Sequence, residues 1–360
     1  LEGAVAFDDL QLSHMDTRTI GILTGGGDAP GLNAVLRAVV RRAMQDGIRV
    51  LGVHHGWTGL IKGKVEPLTR YSVSGILPRG GTILGTSRVN PLASDEDLQR
   101  IHANWRKYEL DALIVVGGEG TLSAALEMHR TQNMPIVGVP KTIDNDLNGT
   151  DFTFGFDTAM SIATEAIDRL HSTAESHDRV MVAEVMGRHA GWIAAGAGIA
   201  GGADIILVPE RPFRISEVCK ILNHRKSLGR FFSIIVIAED AHPHPDEQFL
   251  TPEECKAIFQ HNRLGGIGQL LARKIEEMTG IETRVTVLGY TQRGGAPTAF
   301  DRLLATRLGV KAVDMVLAGE FGRMAAAAGR KIVSVPLTEA VGSIKLLDDE
   351  LYEVAKIFFG

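Results

Sequence analysis

The chain has 360 residues, 44% of them hydrophobic, with a formal net charge of −5. Such a length can bury a substantial core and suggests about two domains, while the slightly acidic balance offers no basic footprint for nucleic acid. Cys219 and Cys255 stand in helix-like stretches without ligand spacing, which argues against a disulfide framework or a zinc site and suits a reducing compartment.

Residues 1–14, LEGAVAFDDLQLSH, lack a starting methionine and end just before Met15. They read as an expression remnant and are set aside from the fold, a native extension being the other reading. No apolar run approaches the ~20 residues of a membrane span, and no signal peptide precedes the first domain, so a soluble cytoplasmic protein is expected. From Thr19 onward one pattern repeats: a short apolar run, a glycine-containing turn and a stretch of helical periodicity. Strands are predicted at 20–23, 50–53, 112–116, 136–139, 180–185, 205–208, 234–238, 285–288 and 332–335, and helices at 34–45, 97–108, 121–129, 159–172, 216–227, 268–278 and 301–317. Runs so short and so uniformly apolar suit strands buried on both faces of parallel sheets. The alternation predicts an α/β, doubly wound architecture, and the number of runs calls for two Rossmann-like domains with ligands at the carboxyl ends of their strands.

The segments just after the strands are therefore where chemistry is expected. After 20–23 comes Thr24-Gly-Gly-Gly-Asp-Ala-Pro-Gly-Leu-Asn33, which is neither a Walker loop nor GxGxxG but still a loop of backbone donors before a helix, with Asn33 as its expected cap. After 112–116 comes Gly117-Gly-Glu-Gly-Thr121. Its glycines let a phosphate approach the backbone at a helix N-terminus, and Glu119 fits there only if a divalent metal lies between carboxylate and phosphate. A tight turn with a solvent-facing glutamate has the same sequence. After 136–139 comes Pro140-Lys-Thr-Ile-Asp-Asn-Asp-Leu147. In extended geometry Thr142, Asp144 and Asp146 share one face, and two carboxylates so close need a metal or an arginine; an Asx-rich turn is the alternative.

Other strand ends carry cations. Arg179 precedes 180–185 and Met186-Gly-Arg188 comes after it; Arg284 precedes 285–288 and Tyr290-Thr-Gln-Arg293 comes after it; Glu239-Asp240 ends 234–238; and Arg79 to Arg88 encloses a further glycine-rich loop. One surface arginine is usually a solvated charge. Several beside glycine turns at strand ends suit phosphate oxygens. Two anion-cradling loops, a metal carboxylate, a carboxylate pair and several arginines are the equipment of phosphoryl transfer between two phosphorylated ligands.

The segments GGGDAPGLN, GGTILGTSR, GGEGTL, PKTIDNDL, EVMGRHAGW and GYTQRGGAPTAFDR, in this order and spacing, resemble the 6-phosphofructokinase family over 19–317. GGEGT alone is shared with NAD and lipid kinases; TIDND, MGR and QRGG together are specific. The resemblance implies two Rossmann-like domains of the phosphofructokinase fold: 15–154 plus 293–342 binding the donor, and 155–292 plus 343–360 binding the sugar phosphate. It implies transfer of a phosphoryl group to the 1-hydroxyl of fructose 6-phosphate, giving fructose 1,6-bisphosphate.

By the same resemblance Asp144 is the general base, with Thr142 and Asp146 ordering the site and Arg188 acting in catalysis. Glu119 holds Mg²⁺, where many relatives have Asp. Gly26, Arg88, Val89, Gly118, Gly120 and Thr121 hold the donor. Ile143, Met186, Gly187, Arg188, Glu239, Tyr290, Thr291 and Gln292 line the acceptor, and Arg179, Arg284 and Arg293 clamp the 6-phosphate. Arg179 and Arg284 reach in from a neighbouring subunit of a homotetramer of paired dimers. Pyrophosphate-dependent members typically carry Asp in place of Gly120 and Lys at the Lys141 position, whereas ATP-dependent members commonly have Gly at both. A carboxylate at Gly120 would occupy the space of the nucleotide's α-phosphate and repel it, while Lys141 is a cation compatible with either donor. The expected donor is therefore ATP with Mg²⁺, and pyrophosphate is the alternative.

Tyr290 departs from the family's common His. Of the basic effector pocket found in regulated members, Arg37 and Arg41 match, but His171 replaces an arginine and 227–230 replaces a lysine-rich turn, so that regulation is not expected. His54, His55, His242 and His244 show no metal-ligand spacing in the sequence and are not offered as metal ligands. A kinase of the NAD or diacylglycerol type would have no reason to carry TIDND, MGR and QRGG together. A non-catalytic sugar-phosphate sensor would not need both Asp144 and Glu119.

Overall fold

The computed structural model describes residues 18–247 and 266–360, so the expected remnant 1–14 and Cys255 lie outside the described residues. The strands are β1 (Thr19–Thr24), β2 (Arg49–Val53), β3 (Val65–Leu68), β4 (Ala112–Gly117), β5 (Ile136–Pro140), β6 (Val180–Val185), β7 (Ile205–Leu207), β8 (Ser233–Ala238), β9 (Thr283–Val287), β10 (Arg323–Ala328) and β11 (Lys331–Pro336). Among the described residues the helices are α1 (Leu32–Ala43), α2 (Trp57–Lys62), α3 (Asp95–Lys107), α4 (Glu119–Gln132), α5 (Phe156–His177), α6 (Trp192–Ala200), α7 (Ile215–Ser227), α8 (Ile267–Thr279), α9 (Ala299–Leu317), α10 (Leu337–Ala340) and α11 (Asp349–Lys356). Every predicted strand and helix is present. None of these helices is long and apolar enough to cross a membrane.

The strands form two sheets. One runs β11-β10-β5-β4-β1-β2-β3 and the other β7-β8-β6-β9. The larger is parallel except for its antiparallel edges, β3 on β2 and β11 on β10, and the smaller is wholly parallel. Alternate residues of β1 go to opposite faces: Ile20 and Ile22 pack with α1 and α9, whereas Leu23 packs with α2, α3 and α4. Covered on both faces, these strands have no polar side to show, which is why their sequences read as unbroken apolar runs. In the smaller sheet, β6 and β8 carry a separate core with α5, α6, α7 and α8. The buried carboxylate of Glu184 on β6 accepts from the Gly266 and Gly268 amides at 3.1 and 2.9 Å. The start of α8 thus supplies the donors a buried charge requires.

In each sheet the order of connection reverses beside the first strand, between β1 and β4 and between β6 and β9. A crevice opens outside the carboxyl ends of strands at such a point. The glycine loops after β1 and β4 meet at the first crevice, and the Met186 and Gln292 loops at the second.

Asn33 corrects one expectation. The helix starts earlier, at Leu32 with Gly31 (φ 112°) as its cap, and Asn33 is buried within it. Its amide donates to the Arg79 and Gly80 carbonyls at 3.1 and 3.3 Å, and its oxygen accepts from the Ile83 amide at 2.9 Å. Asn33 therefore anchors the 79–83 loop. Asn33→Ala strands these groups and is expected to lower stability by about 1–3 kcal/mol, read as a lower urea midpoint at unchanged slope; an unchanged midpoint would contradict the assignment.

Candidate active site

The first crevice is held together by backbone contacts that only glycine permits. Gly25 donates to the Val116 carbonyl at 2.9 Å, tying the β1 loop to β4. Thr121 lies between the two loops: a Cβ at Gly25 would fall 2.6 Å from its Cγ2, and one at Gly117 2.4 Å from its Cβ. Gly26 (φ 79°) donates to the Ser87 carbonyl at 2.9 Å and accepts from Thr86 Oγ1 at 2.5 Å. These bonds bring the exposed Arg88 and Val89 beside the glycine loop. Gly118 caps α4 and Glu119 opens it, exposed, its Oε1 accepting from Ser123 Oγ at 2.8 Å. A side chain at Gly120 would meet nothing within 4 Å.

Between the sheets lies the loop after β5. It is a turn rather than the extended segment expected from sequence: Asn145 has φ 52°, the Asp144 amide donates to Thr142 Oγ1 at 3.1 Å, and Asn145 Oδ1 accepts from the Thr153 amide at 3.0 Å. The turn rich in Asp and Asn and the carboxylate pair, alternatives in the sequence, are both present, the local bond being made by the Thr142 hydroxyl. The turn is fixed from both sides, since Ile143 is buried in the core of the smaller sheet and Leu147 in that of the larger. One buried oxygen of Asp144 and one of Asp146 have no hydrogen-bond partner. Burial first, then the neighbouring Asp146, pushes the Asp144 carboxyl up to about 7; Arg293 opposes this, Glu239 adds to it and Lys141 opposes it. Buried Lys141 donates from Nζ to the Gly27 carbonyl at 2.5 Å. Burial and then Arg293 bring its ammonium down to about 8, against the pull of Asp144, Asp28 and Asp146.

The second crevice faces this turn. Met186 is buried, and Gly187 has φ 139° with the Ala190 carbonyl 2.9 Å from where a Cβ would be. Arg188 is exposed. The Gly187 amide donates to Glu239, whose carboxyl burial nevertheless raises. Gln292 is wholly buried, accepting from the Met186 amide at 3.4 Å and donating to the Gly289 carbonyl at 3.2 Å, so it braces the loop rather than facing a ligand. Thr291 Oγ1 donates to the Leu288 carbonyl at 2.6 Å, and Tyr290 is exposed. Arg293 donates to the Asp28 carbonyl at 3.2 Å and stands against Gly27. It therefore sits beside the donor loop, not with the other expected clamp arginines. Arg179 and Arg284 are not brought to this site. They lie at the amino ends of β6 and β9, about 17 Å of strand from the carboxyl-end loops, and both pair with Glu282.

The phosphofructokinase family profile matches residues 19–316. The chain belongs to the phosphofructokinase family. It is 53% identical over 342 residues to a pyrophosphate–fructose 6-phosphate 1-phosphotransferase of Streptomyces coelicolor, covering 95% of this chain and 99% of that one. It is 50% identical over 338 residues to ATP-dependent 6-phosphofructokinase 3 of the same organism, covering 94% and 98%. Its fold matches phosphofructokinase from Saccharomyces cerevisiae with a TM-score of 0.78 at 34% identity, over 95% of this chain and 47% of the longer yeast chain. The protein is thus a phosphotransferase of the phosphofructokinase fold, and relatives that use either donor are about equally similar.

Within this family framework, the structure adds residues that no sequence pattern marks. Asp28 and Gly27 receive Arg293 and Lys141 through their carbonyls, which no side-chain pattern signals. A cavity of about 530 Å³ lies along α1, lined by Arg37, Arg41, Arg42 and Arg70 among others, and takes no residue from the strand-end loops. His171 is engaged elsewhere, its Nε2 paired with the Gly201 carbonyl at 2.7 Å.

A carboxyl ordinarily near 3.8 and raised to about 7 in the fold binds a proton that the unfolded chain releases. Stability is therefore lost as pH rises from about 4 to 7, and the loss is complete above that window. Asp144→Asn removes the cost: its unfolding midpoint is expected to exceed that of the parent by at least about 3 °C at pH 8, with the gap closing near pH 4. A pH-independent gap in thermal unfolding would show that the charge is not what is penalised.

Proposed function

We propose that the chain is an ATP-dependent 6-phosphofructokinase, transferring the γ-phosphoryl group to the 1-hydroxyl of fructose 6-phosphate. The observation that carries this reading is the half-buried, proton-affine Asp144 set between a glycine cradle and the Met186–Arg188 loop. Asp144 accepts the hydroxyl proton late, as charge develops in a loose transition state that asks more for positioning and charge neutralisation than for a strong base. Lys141 and Arg293 supply fixed positive charge beside the glycine loop, and Glu239 and Arg188 orient the acceptor. Glu119 suits magnesium: among the described residues no cluster of three or more ligating side chains exists, and this ion is usually held by one or two carboxylates and the substrate's phosphates. Bound there, it would neutralise donor phosphate charge. The assigned division into a donor domain, 15–154 with 293–342, and an acceptor domain, 155–292 with 343–360, accords with the two sheets.

ATP is favoured because Gly120 leaves open space where a carboxylate would repel the nucleotide. Pyrophosphate is retained as the second reading because the similarity to the Streptomyces coelicolor pyrophosphate enzyme is as high as 53%. Turnover of fructose 6-phosphate with each donor at matched Mg²⁺ decides between them. Robust rates with ATP are expected, and Gly120→Asp should cut them at least about a hundredfold; turnover with pyrophosphate and none with ATP would reverse the assignment.

The remote Arg179 and Arg284 support a homotetramer in which these residues complete a neighbour's sugar site. Asp144→Ala is expected to lower kcat about 10²–10⁴-fold with little change in KM, and Arg179→Ala to raise KM for the sugar strongly. Mixed oligomers of the two variants should regain part of the activity, because some sites then combine an intact base with an intact clamp. Verified mixed oligomers with no recovery would exclude shared sites.

A further inference from the structure

The Asp144 loop and the Met186–Gly191 loop stand on different sheets, and the short segment 343–349 touches both. On the catalytic side, Ile344 bridges Leu147 antiparallel, and the Lys345 amide donates to the Asp146 carbonyl at 2.9 Å. Asn148 Nδ2 donates to the Ser343 carbonyl at 2.5 Å and to its hydroxyl at 2.8 Å. Lys345 Nζ donates to the Thr150 and Asp151 carbonyls at 2.9 and 2.8 Å. On the acceptor side, Trp192 Nε1 donates to the Lys345 carbonyl at 3.1 Å, and the Lys345 ammonium lies 5.3 Å from the centre of the Trp192 ring. Glu210 completes the connection: its Oε1 accepts from the Leu347 amide at 2.9 Å and from the Gly191 amide at 3.0 Å. One carboxylate thus joins the segment to the loop that carries Arg188.

A lysine that serves only solubility keeps its ammonium in water. Lys345 instead gives two hydrogen bonds to carbonyls and covers an indole, and burial brings its ammonium down to about 8 although Asp151 and Asp146 pull the other way. Leu347 is buried in the core of the smaller sheet, so the segment is anchored at that end by packing as well as by Glu210.

We propose that residues 343–349 form a positioning strap, anchored by Lys345 and Glu210, that holds the Asp144 turn in register with the Met186–Arg188 loop. Neither anchor touches a reacting atom. Both act through backbone groups on opposite sides of the crevice, where a displacement of about 1 Å can cost on the order of 10² in rate. This inference rests on the phosphotransferase reading of the site.

The test uses full-length Glu210→Ala, Lys345→Met and the double variant, each checked by circular dichroism. They are assayed with fructose 6-phosphate and the donor the parent chain uses, together with amide hydrogen exchange. Each single change is expected to lower kcat about ten- to a hundredfold while KM for the sugar moves less than about threefold. The double variant should be no worse than the poorer single one, because releasing either anchor frees the strap. Exchange at the Asp144 and Thr153 amides should quicken in Glu210→Ala even though Glu210 does not touch them. Lys345→Arg, which keeps the donors, should recover most of kcat. Losses that multiply in the double variant, or unchanged exchange at the Asp144 turn, overturn the strap. If Glu210→Ala does not fold, Trp192→Phe, which removes the indole donor to the Lys345 carbonyl on the acceptor side, gives the same exchange readout at the Asp144 turn. A parent chain that uses neither donor would overturn the functional reading, and the exchange result would still decide the strap.

Discussion

Two half-buried carboxylates with a single residue between them are the constraint around which the site is arranged. Asp144 and Asp146 flank Asn145, whose left-handed backbone makes the turn, and each keeps a buried oxygen unpartnered. Charges held so close resist joint ionisation, and the fold answers with Lys141 and Arg293 rather than with solvent. Those two cations repel each other in turn, which is part of why Lys141 lies low. Their hydrogen bonds to the Gly27 and Asp28 carbonyls give each a fixed position against that repulsion. Removing either cation would leave the carboxylates with a single counter-charge, and removing the carboxylates would leave the two cations to repel each other.

Sheet topology explains why this cluster sits where two ligands can meet. Each sheet reverses its connection order beside its first strand, and the loops leaving β1 and β4 face those leaving β6 and β9 across the turn after β5. The glycines of the first pair are demanded by proximity: Thr121 fills the space that side chains at Gly25 and Gly117 would need. The second pair is more polar and more exposed, with Arg188 and Tyr290 toward solvent. A compact, anion-cradling crevice thus opposes a more open one lined by hydrogen-bonding groups.

Strands buried on both faces announce themselves, and each apolar run read as a strand in the sequence is a strand of the fold. The elements that escaped are those whose residues lack such a signature. β10 is RMAAAA, in which alanine has weak strand preference, yet Ala325, Ala326 and Ala327 are buried because α9, α10 and the neighbouring strands leave room for little else. β3 contains Pro67 and survives as an edge strand. α6 is apolar throughout and glycine-rich, with no amphipathic stripe to read. In the site, the glycine loops and the acidic turn were legible because their chemistry requires particular residue types at particular spacings. The anchoring role of Asn33, the bracing role of Gln292 and the strap at 343–349 were not, because they depend on backbone carbonyls and amides that any sequence supplies.

Lys141 and Gly120 occupy unequal positions with respect to the donor. Lys141 is buried at the floor of the cradle, bonded to Gly27, and on the proposed function it would lie beside the phosphate being transferred. A cation there neutralises the same developing charge whether the leaving group is ADP or phosphate, so it discriminates weakly. Gly120 opens the rim of the cradle, with nothing within 4 Å of a side chain placed there, and the two donors differ at the rim: one continues into a nucleoside and the other ends. On the proposed function, selectivity between them would be set by repulsion or its absence at the rim rather than by attraction at the floor. Relatives about half identical to this chain accordingly differ in the donor their names state, as the pyrophosphate- and ATP-dependent enzymes of Streptomyces coelicolor do.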